Sequence, residues 1–321
     1  MFHFEELSAA FAESFRIQHF PSHPVSLYEP AGYFLGLGGK RIRPVLCLMG
    51  NELFGDIDPD AWHLAAAVEL FHNFTLIHDD IMDKAPLRRG MQTVHEKYGS
   101  STALLTGDVM LVVAYEYISK MQPKFIRQVL QIFNQTAKQV CEGQQLDMDF
   151  ETTEKVGLDQ YLSMIELKTS VLLAASLQMG AILGGAGLGN QQHLYNFGKT
   201  LGLAFQVQDD YLDCFGDPAK FGKQVGGDIV AGKKTFLLIR TLEVATEAQH
   251  RQIAELQHAD ATTKVAGMLE LFKACGVDAW ARELKERYMQ DSYRHLDDIA
   301  VLARRKEPLQ QLAALLVQRE Y

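Results

Sequence analysis

Two short stretches crowd carboxylates together. In "LIHDDIMDKAPLRRG", residues 76–90, Asp79, Asp80 and Asp83 fall within one short run, and Arg88 and Arg89 follow. In "QVQDDYLDCFGD", residues 206–217, Asp209, Asp210 and Asp213 repeat the spacing. On a helix, residues four apart share a face, so Asp79 stacks with Asp83 while Asp80 lies about 100° round. Like charges at this spacing destabilise a helix. One such cluster reads as a solvated face, but two near-identical ones call for a counter-charge. Carboxylate oxygens suit hard cations, and magnesium takes one or two carboxylates together with substrate phosphates and water.

Basic residues gather in three places. "GGKRIRP" supplies Lys40, Arg41 and Arg43, "LRRG" supplies Arg88 and Arg89, and "FGKQVGGDIVAGKKT" supplies Lys223, Lys233 and Lys234. The combination reads as an acidic pair loaded with metal, ringed by cations that form a second, metal-free phosphate site. Each acidic cluster closes a strongly apolar helix, which places its carboxylates at the mouth of a buried cavity.

The elements that must hold these groups read as helices. Apolar residues recur at three- and four-residue spacing, and strand patterns are almost absent. In "RPVLCLMGNELFG", Pro44 suits a first helical turn and Gly55 a helix end. From Asp60, an expected N-cap, an apolar run continues unbroken to Asp83. Further helices are expected over roughly 101–121, 124–147, 159–183, 191–214, 234–246, 262–275, 278–302 and 308–318. No repeat or Pro/Gly/Ser linker divides the chain, so residues 1–321 read as a single all-α domain.

Composition agrees. The chain is 47% hydrophobic and 22% charged, enough for a large core. Its net charge of −9 argues against a nucleic-acid partner, which needs a basic surface to replace phosphate counterions. Cys47, Cys141, Cys214 and Cys275 lie far apart and form no zinc spacing, which points to reduced thiols and a cytoplasmic setting. The N-terminus carries acids where an export signal needs a basic start. "VLLAASLQMGAILGGAGLG", Val171 to Gly189, approaches bilayer length, but Gln178 and its small residues suit a helix packed within the core, so no membrane span is expected.

In this order and spacing, "GGKRIRP", "HDDIMD…LRRG", "GDVML", "EGQQLD", "ELKTS" and "FQVQDDYLDCFGDPAKFGKQVGGDIVAGKKT" resemble the trans-isoprenyl diphosphate synthases over nearly the whole chain. Any one motif is weak; the ordered set is specific. The resemblance implies a single large helical bundle around a deep central cavity, the isoprenoid synthase fold, and a homodimer. It implies that Asp79, Asp80, Asp83, Asp209, Asp210 and Asp213 bind magnesium, about three ions, bridging an allylic diphosphate. Arg88 would hold that diphosphate, with Lys168 and Lys233 at its leaving oxygens, and Lys223 is counted with these catalytic residues. Lys40, Arg43, His72 and Arg89 would hold isopentenyl diphosphate. Thr169 and Gln206 match polar positions near the reacting carbons, where oxygen dipoles stabilise a cation.

The implied chemistry follows from the charges. Magnesium and the cations stabilise departing pyrophosphate, isopentenyl diphosphate attacks the allylic cation, and the released pyrophosphate takes the proton. An apolar cavity excludes the water that would quench the cation. A histidine on an apolar helix is more often packed than functional, but His72 lies two turns before Asp79 on the same face, where the family places a substrate-binding histidine. Lys84, Met91 and Gln92 depart from the family pattern, which favours a neutral or acidic residue, often asparagine, and then a Lys-Pro pair.

Other classes fit less well. A di-iron bundle needs Glu-x-x-His on two helices, and here Glu247/His250 and Glu255/His258 share one polar segment. A terpene cyclase would replace the second aspartate motif and has no use for "GGKRIRP". A non-catalytic synthase subunit usually lacks one motif, and this chain has both. For product length the family uses bulky residues at the fourth and fifth positions before the first aspartate, here Thr75 and Phe74. These lie roughly 6 and 7.5 Å below Asp79 on a helix, within reach of a growing chain. Threonine at the fourth with an aromatic at the fifth resembles a geranylgeranyl diphosphate synthase, with the farnesyl product as the alternative.

Overall fold

The structure is a computed structural model and describes residues 1–216 and 225–317. Among the described residues the regular secondary structure is helical apart from one minimal hairpin. In chain order the elements are α1 (Phe4–Ser14), α2 (Val25–Gly36), α3 (Ile42–Glu52), α4 (Pro59–Met82), β1 (Leu87–Arg88), β2 (Met91–Gln92), α5 (Val94–Tyr98), α6 (Ser100–Ser119), α7 (Pro123–Thr152) and α8 (Leu158–Ile165). A π-helical segment, Glu166–Ser170, follows. Then come α9 (Val171–Leu183), α10 (Leu188–Phe215), α11 (Gly227–Ala231), α12 (Phe236–Val244), α13 (Glu247–Leu256), α14 (Ala261–Ala274), α15 (Val277–Asp297) and α16 (Ala303–Val317).

The chain divides into two compact units. The first comprises Met1–Gln135, Ala175–Leu194 and Ala300–Pro308; the second comprises Thr136–Ala174, Tyr195–Ile299 and the described part of Leu309–Tyr321.

In the first unit α4 is the central element. Asp58 caps it by accepting from the Asp60 N–H at 2.9 Å, and Pro59 occupies the first turn, where no N–H is needed. The expected cap, Asp60, sits inside the helix instead, and its carboxylate accepts the Gln122 N–H at 2.8 Å. Leu64, Val68, Phe71, Phe74 and Ile77 bury the long apolar face. The small residues of α9 serve close packing: a Cβ on Gly180 would lie 2.0 Å from the Cys47 carbonyl oxygen, and one on Gly50 2.4 Å from that of Leu177. The run Val171–Leu183 is buried along nearly its whole length, as a core helix requires.

In the second unit Val207, Phe236, Leu237, Phe272, Val277 and Ala281 form a continuous apolar core. The segment expected as one helix over 159–183 is interrupted by the π-helical turn. The helix expected from Pro308 begins at Ala303, five positions earlier, with Arg305 anchoring the added turn on the carbonyls of Glu52 and Leu53 at 3.0 Å.

Candidate active site

The first unit carries the first aspartate cluster at the C-terminus of α4. Asp80 is 1% exposed, Asp79 is half-buried, and Asp83 is the exposed C-cap. Burial raises the Asp80 carboxyl above the usual range, with Arg88 opposing but not cancelling the rise. Arg88 Nε donates to both Asp80 oxygens at 2.8 and 2.9 Å, and its Nη2 lies 2.7 Å from Asp80 Oδ1 and 3.3 Å from Asp79 Oδ2. The hairpin that carries Arg88 pairs Leu87 with Gln92 and Arg88 with Met91. Its two turn residues, Arg89 and Gly90, have φ of 54° and 78°, the positive values a tight two-residue hairpin needs. The RRG motif is therefore a turn as well as a charge source.

Arg89 reaches from that turn to the glycine pair. It donates to the Gly38 carbonyl, and a Cβ on Gly39 would lie 2.9 Å from its Nη2. Gly38 and Gly39 also sit at positive φ, 75° and 143°. Arg41, at φ 52°, turns inward to ion-pair with buried Glu69 and to bond the Leu35 carbonyl at 3.2 Å. Glu69 also accepts from Asn73 at 2.8 Å. Lys40, just before Arg41, is exposed, and Arg43, just after it, stands in the first turn of α3.

Arg43 Nη1 donates to His72 Nε2 at 3.1 Å. Burial, followed by the fields of Arg43, Arg89, Arg88 and Arg41, holds the His72 imidazole well below its usual pKa. His72 is thus a neutral acceptor for Arg43 within the positive field of Arg89, Arg88 and Arg41. Burial also lowers Arg43 to about 10, which leaves it charged at neutral pH, and its buried Nε has no hydrogen-bond partner among the described residues. Excess positive charge with an unsatisfied donor is what an anionic group would complete.

Below the cluster, Phe74 is 9% exposed and packs edge-on against Phe71 (5.5 Å) and His78 (4.9 Å). Phe71 in turn meets Phe133 at 5.2 Å. Thr75 is half-buried and donates to the His72 carbonyl at 2.8 Å.

The second unit carries the other cluster near the end of α10. Asp210 is 5% exposed, while Asp209 and Asp213 are half-buried. Tyr161 on α8 donates its phenol to Asp210 Oδ2, and Gln206 Nε2 donates to Oδ1 at 2.8 Å. Burial pushes the Asp210 carboxyl up to about 8, with Asp228 and Asp209 adding to the rise. Tyr161 is raised well above 10 by burial and by Asp210, so it remains a donor. Asp213 accepts the Asp228 N–H at 3.1 Å, and Lys233 lies 3.9 Å from Asp228. Lys234 has a different role: it bonds the Phe150 and Glu151 carbonyls at 2.7 and 3.1 Å, at the C-terminal end of α7.

Lys168 and Thr169 lie in the π-helical turn. Such turns recur at functional sites because they redirect side chains within a helix. Two glycines make room for it: a Cβ on Gly143 would lie 2.3 Å from the Lys168 amide nitrogen, and one on Gly202 2.7 Å from Ser170 Cα. Lys168 pairs with Asp147 at 2.6 Å, and Thr169 Oγ1 donates to Gln206 Oε1 at 3.4 Å.

Residues 24–274 match the polyprenyl synthetase family. The chain belongs to that family. It is 37% identical over 304 residues to the geranylgeranyl diphosphate synthase of Methanosarcina mazei, covering 94% of this chain and 92% of that one. It is 35% identical to a short chain isoprenyl diphosphate synthase of Methanothermobacter thermautotrophicus, covering 93% and 92%. A crystal structure of a geranylgeranyl pyrophosphate synthase superposes with a TM-score of 0.93 at 40% identity, covering both chains completely. The fold is accordingly the all-α isoprenoid synthase fold of this family.

The donor sets fit what the family uses. Each cluster offers hard carboxylate oxygens, suited to magnesium, and the guanidinium groups around His72 suit a diphosphate. Within the first unit, Asp79, Asp80 and Arg88 meet directly, as do Arg43 and His72. Within the second, Thr169, Gln206 and Asp210 form one chain of hydrogen bonds. Lys223 lies outside the described residues. Sequence reasoning did not single out Asp147, Glu69, Tyr161 or Gly143. Asp147 and Gly143 stood within the quoted EGQQLD motif; Tyr161 and Glu69 carried no local signal.

Proposed function

We propose that the chain is a short-chain isoprenyl diphosphate synthase that condenses isopentenyl diphosphate with dimethylallyl, geranyl and farnesyl diphosphates, giving geranylgeranyl diphosphate as its main product. The observation that carries this reading is the ring of Arg41, Arg43, Arg88 and Arg89 around a neutral His72, in the same unit as an acidic cluster fit for metal. Farnesyl diphosphate is the alternative product, because only Thr75 and Phe74 argue for the longer chain.

Asp79, Asp80 and Asp83, with Asp209, Asp210 and Asp213, would hold about three magnesium ions. Bound magnesium supplies the positive charge that stabilises a departing pyrophosphate. Arg88, Lys168 and Lys233 would add fixed cations at the leaving oxygens, with Lys223 counted among the catalytic residues. Lys40, Arg43 and Arg89 bind isopentenyl diphosphate, and His72 orients Arg43 for that task through its neutral Nε2. Gln206 and Thr169 turn oxygen dipoles toward the allylic cation. The proton lost after condensation goes to the released pyrophosphate, as the family resemblance implies.

The whole chain acts as one synthase domain. Four of its five unit boundaries, 135/136, 174/175, 194/195 and 308/309, fall inside α7, α9, α10 and α16, and the fifth, 299/300, falls in the short connection between α15 and α16. The apolar stripe Leu104, Leu105 and Val112 on α6 is about half exposed and supports a homodimer. The free cysteines accord with a cytoplasmic setting.

The test is chromatography of products formed from labelled isopentenyl diphosphate with each allylic diphosphate and magnesium. A dominant twenty-carbon product is expected. A dominant fifteen-carbon product would move the length assignment to farnesyl, and no condensation product at all would overturn the reading.

A further inference from the structure

Each aspartate cluster buries its middle member and leaves the flanking pair partly exposed. The burial is made tolerable differently in the two. Asp80 meets a guanidinium, Arg88, which supplies hydrogen bonds and also cancels charge. Asp210 meets a phenol and an amide, Tyr161 and Gln206, which supply hydrogen bonds and no charge. Buried carboxyl groups need such partners, and a neutral donor adds no positive charge that would compete with a divalent cation at the cluster.

We propose that Tyr161 is a positioning residue for the second cluster: its phenol fixes the Asp210 carboxylate from one side and Gln206 from the other, which sets the presentation of Asp209 and Asp213. This rests on the magnesium-dependent reading above. Tyr161 is suited to the task because its own place is rigid. It is 4% exposed on α8, its ring packs 6.2 Å from that of Phe236, and Phe236 is fully buried. The network runs on from Asp210 through Gln206 to Thr169 in the π-helical turn. Tyr161 therefore also governs which way the Gln206 amide points: with Nε2 held by Asp210, Oε1 faces Thr169. Removing the phenol O–H leaves one Asp210 oxygen without its donor, and the carboxylate and the amide can then turn.

The effect belongs to metal and pyrophosphate binding in the second unit and not to isopentenyl diphosphate, whose assigned residues all lie in the first. That separation gives a readout that a general loss of structure would not produce. Wild type and Tyr161→Phe are compared in magnesium titrations of turnover, in the KM for isopentenyl diphosphate, and in the rise of melting temperature caused by magnesium plus inorganic pyrophosphate. Tyr161→Phe is expected to need at least about fivefold more magnesium for half-maximal turnover and to show less than about half the wild-type melting increment, with KM for isopentenyl diphosphate within about twofold. Gln206→Leu removes the other donor to Asp210 and is read in the same way, so the test stands if one variant does not fold. An unchanged magnesium requirement and increment overturns the proposal, as does a KM for isopentenyl diphosphate that rises in proportion. Wild-type protein that makes no product, or makes it without magnesium, overturns the functional reading instead.

Discussion

Arg43 donates to His72 Nε2 across 3.1 Å, so the histidine serves as an acceptor and must be neutral there. Burial and four neighbouring guanidinium groups enforce that state. The linkage has a definite sign. Above about pH 6.5 His72 is neutral in both folded and unfolded chains; below it the unfolded chain takes up a proton that the folded chain refuses. His72 therefore lowers stability as pH falls from about 7 toward 5. Urea unfolding should show a steeper loss over that range for wild type than for His72→Gln, which keeps an acceptor but does not titrate. Parallel profiles for the two would contradict the buried, neutral assignment.

Gly143 and Gly32 make opposite predictions from the same substitution. A Cβ at Gly143 would press on the Lys168 amide at 2.3 Å, so Gly143→Ala should displace the π-helical turn, destabilise by roughly 1–3 kcal/mol and sharply lower activity. Gly32 lies within α2 with nothing within 4 Å of the new atom, so Gly32→Ala should stabilise by about 0.5–1 kcal/mol. Thermal melts of both variants, with an activity assay for Gly143→Ala, check the pair.

The contrast also shows what was legible in the sequence. The aspartate clusters were, because a helix repeats its face every three or four residues and carboxylates at that spacing need a reason. The basic residues of GGKRIRP and RRG were legible as a charge source, but the turns made there by Gly38, Gly39 and Gly90 at positive φ were read only from the fold. The π-helical turn was not legible, since the glycines that give it room, Gly143 and Gly202, lie on other helices and "ELKTS" itself continues a helical pattern. Tyr161 and Glu69 were illegible for the same reason: their partners, Asp210 and Arg41, stand 49 and 28 residues away, and no local periodicity links them. The short helices α2 and α13 went unmarked, one carrying Pro30 inside it and the other being mostly polar.

Lys84 follows the C-cap of α4 at φ 51°, a left-handed conformation that asparagine tolerates better than lysine. Asparagine at this position would relieve that backbone strain. Lys84→Asn should raise the unfolding free energy by about 0.5 kcal/mol, measured by denaturant titration. A loss of stability would mean that the lysine charge beside the acidic cluster outweighs its backbone strain.

Product length offers a separate check. Phe74 packs against Phe71 and His78 and stands one position before Thr75. If Phe74 is the floor met by the growing chain, Phe74→Ala should shift products to longer chains and Thr75→Phe should shorten them to farnesyl diphosphate. Chromatography of the products decides it. An unchanged distribution in an active Phe74→Ala enzyme would remove Phe74 from that role.

The account depends most on both aspartate clusters serving one magnesium-assisted reaction. The direct measurement is turnover at saturating magnesium for Asp80→Ala, Asp209→Ala and the double variant. Removing one electrostatic stabiliser of a developing charge typically costs about a hundredfold or more, so each single variant should fall at least that far. Groups that act as a unit are not additive, so the double variant should fall well short of the product of the two losses. Turnover within about threefold of wild type in either single variant would contradict the account.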